Sequence, residues 1–235
     1  MGLVQALRLS CAARAGYGTC MTEDKSDNSA DNLDSVIPIT DPIDLFDIWF
    51  AEAHDAEPND SNAMALATAT ANSAPSVRMV LLKGHGQGGF TFYTNVQSRK
   101  GGEIRANMQA ALLFHWKSLR RQIRIEGPLE EVTSQQADDY FHSRPRVSQI
   151  ASAASDQSSA LDQRATYYDR VASLEEQYPQ GDIPRPAHWT GFTISPSAME
   201  FWIDRPGRMH DRRRFIRESA ASGRDAPWSS TLLYP

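Results

Sequence analysis

The hydrophobic pattern of the chain begins with an amphipathic helix. Asp41-Pro42 places an N-cap residue before a proline at the first helical position. Leu45, Ile48 and Trp49 then recur at helical spacing. We therefore predict a helix over residues 41–53 with this apolar stripe in the core.

From residue 63 the apolar positions follow a period of two, and turn-rich breaks such as 71–75 and 84–89 separate them. Closely spaced short strands favour an antiparallel barrel or sandwich over a parallel α/β sheet. No G-x-G-x-x-G motif follows a strand and no P-loop is present. The predicted strands are 63–69, 77–83, 90–94, 110–116, 120–126 and 129–133.

Helical patterns then interrupt the strands. A helix over 134–143 ends at Arg144-Pro145, because the residue before proline disfavours the helical region. Further helices are predicted from Pro145 to Ile150 and over 161–177. Strands resume at 189–192, and the last one is predicted over 228–233.

A hairpin near the C-terminus carries a basic cluster. Residues 199–203 alternate like a strand, and 204–207 form a turn signal. If the next segment is a strand, Arg208, His210 and Arg212 share one face, so two fixed cations flank a group that titrates near neutrality. Such a face suits an anionic ligand, and the alternative is a solvated edge strand whose charges oppose aggregation.

Composition describes an ordinary soluble globular protein. The 235 residues are 40% hydrophobic and 23% charged, and no apolar run is long enough to cross a bilayer. Both cysteines, Cys11 and Cys20, lie in the first twenty residues, so they cannot organise a disulfide framework or a metal site. A reducing compartment fits this usage best.

The net charge of −5 is unevenly distributed. Residues 21–60 hold twelve Asp and Glu against one Lys, whereas residues 61–235 hold seventeen acids against twenty-one Lys and Arg. We expect a disordered acidic leader over 1–36, of which 1–20 is either transit-like or upstream of a true start at Met21, and a single domain over 37–235. The mildly basic body suits an anionic ligand, but a nucleic-acid-binding module would carry a recognisable motif and more positive charge.

Two groups of residues each have the composition of a phosphate site. Arg78, with Thr94 and the segment 98–100 (Ser-Arg-Lys), combines cations and a hydroxyl with the free N–H groups of a predicted helical turn. Tyr140 and Arg144 share a helix face, and Ser148 lies in the first turn of the next helix. Either group alone could be an ordinary polar surface, but together they indicate two anion sites in one small β protein.

The order of these motifs resembles the pyridoxine (pyridoxamine) 5′-phosphate oxidases, flavoproteins of the FMN-binding split-barrel fold. The resemblance runs from about Ile43 to the C-terminus, and the segment 140–150 together with Arg208-x-His210 is its most specific part. It implies a mainly β, α+β fold with flanking helices: an antiparallel, Greek-key-like split β-barrel. The other matching segments are 78–83, 92–95, 98–100, 121–122, 157–158, 200–202 and 208–212.

The resemblance also assigns roles to individual residues. It implies that substrate is bound by Lys83, Tyr140, Arg144, Ser148, Arg208 and His210, of which Arg208 and His210 are the catalytic pair. It implies that FMN is bound by Arg78, Met79, Val80, Lys83, Tyr93, Thr94, Ser98, Arg99, Lys100, Gln122, Gln157, Ser158, Trp202 and Arg212. No metal is expected.

The reaction implied is oxidation of pyridoxamine or pyridoxine 5′-phosphate to pyridoxal 5′-phosphate. A hydride passes from C4′ of the substrate to flavin N5, and O₂ is reduced to H₂O₂. The family resemblance further implies a cytoplasmic homodimer with FMN between the subunits, and no nucleic-acid or membrane partner.

Two departures from the family pattern are visible. The region before Ile37 is acidic and has no counterpart of the Arg- and Tyr-containing segment that can cover the substrate, and Leu232 stands where an Arg is common. The competing interpretations are another flavin-dependent split-barrel enzyme, such as a phenazine-biosynthesis oxidase or a flavin reductase, and a non-catalytic flavin-binding, heme-binding or stress-related member. Neither alternative needs the complete set of substrate residues.

Overall fold

A computed structural model describes residues 36–218 and 226–235 of the chain. The predicted leader, except Val36, and both cysteines lie outside the described residues.

The described part contains nine strands and five α-helices. The helices are α1 (Pro42–Ala56), α2 (Arg99–Asn107), α3 (Ser134–Ser143), α4 (Arg146–Ala154) and α5 (Arg164–Gln177). The strands are β1 (Ala63–Ala69), β2 (Pro75–Leu81), β3 (Phe90–Asn95), β4 (Gln109–Trp116), β5 (Arg121–Glu131), β6 (Trp189–Ile194), β7 (Ala198–Ile203), β8 (Asp211–Arg217) and β9 (Trp228–Leu232). None of the helices in this part of the chain has the length and apolarity to span a bilayer.

The strands form an antiparallel split barrel, as predicted. The main sheet has the order β2-β1-β4-β5-β7-β8-β9. Strand β5 joins it to a smaller pair, because its first part pairs with β7 while Leu129–Glu131 pairs with β6, which in turn pairs with β3. Strand β5 therefore belongs to both the main sheet and the smaller pair of strands.

Strand β5 differs from the sequence-based prediction. The pattern predicts two strands, 120–126 and 129–133, but the structure continues β5 through Gly127 and Pro128. Pairing with β4 is kept along this side, where Gln109 lies opposite Pro128. A Cβ at Gly127 would stand 2.1 Å from the carbonyl oxygen of Ser195, so glycine is what permits the chain leading into β7 to approach so closely.

Helix α1 packs against the strands through aromatic side chains. The ring of Phe46 lies 4.8 Å from that of Phe90, and Trp49 lies 5.1 Å from Phe201, centroid to centroid. The prediction that Ile48 belongs to the core is wrong, because its side chain is 54% exposed. The buried face runs instead through the positions of Leu45, Phe46, Trp49 and Ala53.

The C-terminal hairpin is longer than the sequence suggests. A 3₁₀ turn over Pro206–Arg208 follows β7, and β8 begins only at Asp211. Gly207 and Arg208 both have positive φ, 66° and 61°, so the chain turns here instead of extending. The prediction that Arg208 and His210 alternate along a strand is therefore wrong, although Arg212 lies in β8.

Candidate functional site

A cavity of about 450 Å³ opens where β2, β3 and the N-terminus of α2 meet the α3–α4 connection. Its lining mixes cations, hydroxyls and aromatic rings, which is suited to a planar anionic ligand. The lining residues are Met79, Val80, Leu81, Lys83, Tyr93, Thr94, Asn95, Lys100, Tyr140, Arg144, Pro145, Ser148, Ser152, Ser155, Gln157 and Trp189.

One cationic corner of the cavity is the start of α2. Ser98 is the N-cap, and its hydroxyl accepts a hydrogen bond from the backbone N–H of Gly101. The Lys100 ammonium donates to Ser98 Oγ at 3.2 Å and to Gln157 Oε1. Burial, reinforced by the charge of Arg78, lowers the pKa of Lys100 to about 8. An anion placed here would meet both the ammonium and the helix N-terminus.

A buried carboxylate stands behind this corner. Glu103 has a side chain only 4% exposed, and it lies 2.9 Å from Arg99 Nε and 3.2 Å from Arg78 Nη2. Hydroxyl groups of Thr68 and Ser76 also donate to it, and hydrogen bonds from Ser76 and Thr68 are the main reason that its pKa falls to about 2. Glu103 is therefore ionised and fixes the two guanidinium groups relative to α2.

The second cationic corner is Arg144, the residue that ends α3. Its Nη2 donates to the carbonyl oxygen of Ser148 at 3.1 Å and to Ser152 Oγ at 3.0 Å. Its Nη1 is buried and has no hydrogen-bond partner in the described structure. Burial lowers the pKa of Arg144 from its ordinary value, although an arginine remains charged. A buried donor without a protein acceptor is suited to an anionic ligand.

Aromatic rings join the two corners. Tyr93 stacks on Trp189 with centroids 5.2 Å apart and an interplanar angle of 11°, and it stacks on Tyr140 at 4.1 Å. Burial, followed by the nearby Tyr140 and Asp139, raises the pKa of Tyr93, so its hydroxyl stays protonated at neutral pH. The stack forms a rigid wall along the cavity.

A second group of predicted residues lies elsewhere, on the main sheet. Gln122 of β5 pairs with Trp202 of β7, which pairs with Arg212 of β8, so the three side chains form one row across the same face. The Arg212 guanidinium contacts the buried carboxylate of Glu200 at 2.8–2.9 Å. Glu200 also binds Arg124 at 2.6 Å.

The loop before β8 presents the predicted catalytic pair. The backbone N–H of Arg205 donates to His210 Nδ1 at 3.1 Å, and Asp204 Oδ1 lies 3.0 Å from the same nitrogen. The imidazole packs 4.7 Å from the Trp202 ring. Its Nε2 and the exposed guanidinium of Arg208 make no hydrogen bond to any residue that the structure describes.

The structure thus divides the predicted site residues into two sets. Those in the cavity lining are Met79, Val80, Lys83, Tyr93, Thr94, Lys100, Tyr140, Arg144, Ser148 and Gln157. Arg78, Ser98 and Arg99 stand directly beside this set, and Ser158 follows Gln157 with a left-handed φ of 74°. Gln122, Trp202, Arg208, His210 and Arg212 form the other set.

Sequence reasoning misses residues in the cavity lining and behind it. It places Trp189 only in a strand, and it does not single out Ser152, which lines the cavity, or Glu103, which stands behind it. Their sequence signal is weak, because a serine or glutamate in a helix is usually solvated; the turn between α3 and α4 brings Ser152 to Arg144, and α2 brings Glu103 to Arg78. Among residues 36–218 and 226–235, no three His, Cys, Asp or Glu side chains cluster as metal ligands would.

Comparison with known proteins identifies relatives along most of the chain. Pyridoxine/pyridoxamine 5′-phosphate oxidase of Novosphingobium aromaticivorans is 62% identical over 199 residues, which cover 85% of this chain and 96% of the relative. The protein of the same name from Erythrobacter litoralis is 61% identical over 201 residues, covering 86% and 94%.

Solved structures share the fold. PhzG from Burkholderia lata 383, in complex with tetrahydrophenazine-1-carboxylic acid, is 31% identical with a TM-score of 0.77, covering 84% of this chain and 94% of that one. A pyridoxamine 5′-phosphate oxidase-related, FMN binding protein from Nostoc punctiforme has a TM-score of 0.64 at 16% identity, covering 81% and 97%. The latter likeness concerns the fold alone.

Two family models match the chain in succession. The one described as pyridoxamine 5′-phosphate oxidase matches residues 50–178, more than half of the chain. The one described as the pyridoxine 5′-phosphate oxidase C-terminal dimerisation region matches residues 189–235. The chain belongs to the pyridoxamine 5′-phosphate oxidase family.

Proposed function

We propose that the protein oxidises pyridoxamine 5′-phosphate and pyridoxine 5′-phosphate to pyridoxal 5′-phosphate, with FMN as cofactor and O₂ reduced to H₂O₂. The observation that carries the proposal is the single cavity with two cationic corners, Lys100 at α2 and Arg144 at α3, joined by an aromatic wall. A phosphorylated cofactor and a phosphorylated substrate together require two anion sites next to one space for stacked rings. Bound FMN supplies the hydride acceptor and the electron path to O₂.

The donor set at α2 fits the phosphate of FMN. The Lys100 ammonium and the first backbone N–H groups of α2 converge there, and Glu103 orients Arg78 and Arg99 beside them. The Ser98 hydroxyl, which donates to the carbonyl oxygen of Asn95, holds the Lys100 ammonium as an acceptor. These groups bind and neutralise a phosphate, while Tyr93 and Thr94 of β3 line the space next to it. The remaining cofactor residues proposed from this set are Met79, Val80, Lys83, Gln157 and Ser158.

The Arg144 corner fits the phosphate of the substrate. Arg144 has a buried Nη1 without a partner, and Lys83, Tyr140 and Ser148 line the same cavity. A phosphate accepting from Nη1 would satisfy this donor, and the lysine and hydroxyl groups would complete the anion site. The pyridine ring of the substrate would then lie along the aromatic wall.

A second copy of the chain completes this site in our proposal. Arg212 lies on β8, five strands along the main sheet from β2. It is not among the residues that line the cavity of its own chain, which borders β2. The family's dimerisation region covers the part of the chain that contains Trp202, Arg208, His210 and Arg212. We therefore propose a homodimer that binds FMN between its subunits.

The sheet face that carries this second set also carries exposed apolar residues. Val77, Met79 and Leu81 alternate along β2 and are 68%, 64% and 40% exposed. Strand pairing continues their face through Ala65 to Leu113. Since an exposed apolar stripe next to a ligand cavity is typical of a subunit interface, we assign this face to the partner.

In the dimer, Arg208 and His210 of one subunit act on the substrate held by the other. His210 offers Nε2, its one ring nitrogen without a hydrogen bond in the described chain, and Arg208 offers its whole guanidinium. We propose that both residues bind and orient the substrate ring so that its C4′ faces the cofactor. The domain over 37–235 and a cytoplasmic location stay predictions.

A visible spectrum followed by a turnover assay on the same sample tests the proposed function. The purified protein is expected to be yellow, and pyridoxamine 5′-phosphate added in air should yield pyridoxal 5′-phosphate and peroxide. A yellow protein inert toward both phosphorylated vitamers would reject the substrate assignment and favour another flavin enzyme. A colourless protein that FMN cannot reconstitute would reject the oxidase function altogether.

A further inference from the structure

We infer that Ser152 and Trp189 are positioning residues for substrate binding, which act by holding the Arg144 guanidinium with its Nη1 group free for the substrate phosphate. The inference rests on the proposed function, because it takes the Arg144 corner as the substrate-phosphate site. Neither residue was expected to be functional from the sequence.

The guanidinium of Arg144 is restrained along one edge. Nη2 is fully used by Ser148 O at 3.1 Å and Ser152 Oγ at 3.0 Å. Both acceptors lie on α4, with Ser152 one helical turn beyond Ser148, so the helix fixes their spacing. The Ser152 hydroxyl therefore sets the direction in which the guanidinium plane lies.

The plane is also restrained across its face. The central carbon of the Arg144 guanidinium lies 5.0 Å from the centroid of the Trp189 ring, within the range of a cation–π contact. Trp189 is 5% exposed and is itself held between Tyr93 and Phe141. A rigid ring thus supports the guanidinium from the barrel side.

These two restraints occupy Nη2 and leave Nη1 without a protein acceptor in the described structure. It is buried, and no described group pairs with it. An arginine free to rotate would turn such a donor to water or to a protein acceptor, because an unpaired buried N–H is costly. Ser152 and Trp189 prevent that rotation, so the phosphate meets a donor that needs no reorganisation.

Single substitutions separate positioning from simple folding. Ser152→Ala removes the hydroxyl while keeping a good helix former, and should raise KM for pyridoxine 5′-phosphate about tenfold. Trp189→Leu should raise it by about five- to tenfold and Trp189→Phe, which keeps an aromatic face, by about twofold. In each variant kcat at saturation should change less than about twofold, because the restraint acts on binding.

Competitive inhibition by inorganic phosphate distinguishes a positioning role from a structural defect. As a competitive inhibitor, phosphate should lose affinity by the same factor as the substrate in each variant. FMN content and Tm should stay near those of the parent protein in Ser152→Ala, whereas Tm should fall in the Trp189 variants because that ring is buried between Tyr93 and Phe141. Ser173→Ala is the matched control, since its exposed hydroxyl bonds only a carbonyl oxygen of α5. It should leave KM and phosphate inhibition unchanged.

Arg144→Ala distinguishes the proposed phosphate site from the positioning role of Ser152 and Trp189. If it leaves KM and phosphate inhibition unchanged, the proposed phosphate site is wrong. If it raises KM and the inhibition constant of phosphate but Ser152→Ala and Trp189→Leu do not, the positioning role alone is overturned. Adding Ser152→Ala to Arg144→Ala should cause no further loss, and an additive loss would likewise contradict a role exerted through Arg144.

Discussion

At the scale of single residues, Lys100 couples cofactor binding to pH. Its pKa of about 8 in the protein without ligand means that the ammonium is lost as pH rises through that value. A phosphate dianion, whose own second pKa is near 6, prefers the charged form. FMN affinity should therefore fall as pH rises from about 7 to 9.5, measured by quenching of flavin fluorescence.

The matched variant for this pH effect is Lys100→Arg. A guanidinium remains charged throughout that range, so the pH dependence of FMN binding should become flat even if the affinity itself is lower. The same slope in the variant and the parent protein would assign the effect to another group.

Arg208 and His210 test the division of the site into cofactor and substrate residues. Neither residue lines the cavity of its own chain, and neither contacts Lys100 or the other residues at the start of α2, so Arg208→Ala and His210→Ala should leave FMN bound. Each should lower kcat/KM about a hundredfold, because the substrate ring loses its orientation. The ratio of flavin to protein absorbance and steady-state turnover measure the two effects.

Arg164→Ala is the control for these variants. It removes an exposed arginine of α5 whose only described partner is Tyr168 of the same helix, so both flavin content and turnover should be preserved. A colourless Arg208→Ala or His210→Ala protein would place that residue with the cofactor set.

At the same scale, the sequence identifies charged site residues better than the residues that orient them. Arg144, Lys100 and His210 stand out because cations and hydroxyls at helix ends suit anions, and the family resemblance assigns them roles. The contacts of Ser152 and Trp189 with Arg144 depend on the α3–α4 turn and the aromatic stack, so they cannot be predicted from the sequence pattern.

At the scale of elements, α2 depends on a glycine at its contact with the end of β3. A Cβ at Gly101 would stand 2.4–2.5 Å from backbone atoms of Val96, whereas one at Gly102 would meet nothing within 4 Å. Gly101→Ala should therefore displace the N-terminus of α2, lower Tm and weaken FMN binding. Thermal unfolding and flavin titration measure both effects.

Gly102→Ala is the neighbouring control on the same helix. It should keep FMN affinity and stabilise the protein by about 0.5–1 kcal/mol, because alanine is the better helix former. Equal behaviour of the two variants would mean that α2 can shift freely relative to Val96.

The elements themselves were largely predictable from period and turn residues. Strands such as β1 and helices such as α3 follow the pattern closely. The pattern could not predict that β5 continues through Gly127 and Pro128, since that depends on the approach of Ser195. Nor could it place the start of β8 at Asp211, because the positive φ of Arg208 is a property of the folded loop.

At the scale of the whole molecule, the sequence predicts the split barrel and the family, and both are confirmed. It does not reveal that the predicted residues fall into two sets on the chain, because motif order carries no information about which side of a sheet or which subunit a residue serves. The sheet order supplies that information by placing β2 and β8 near opposite ends.

The last prediction concerns the proposed dimer. Val77→Lys places a charge in the exposed apolar row of β2, at a residue that does not line the cavity. An unpaired ammonium within an apolar interface is costly, so the variant should be monomeric by light scattering with an unchanged circular dichroism spectrum. Because the partner's residues are then absent, it should also lose FMN on gel filtration and turn over at least about a hundredfold more slowly. Ile48→Lys, at a similarly exposed apolar position on α1, should remain a yellow, active dimer. A monomeric Val77→Lys protein that keeps FMN and full activity would show that one subunit holds a complete site, and would refute the proposal that the cofactor lies between two.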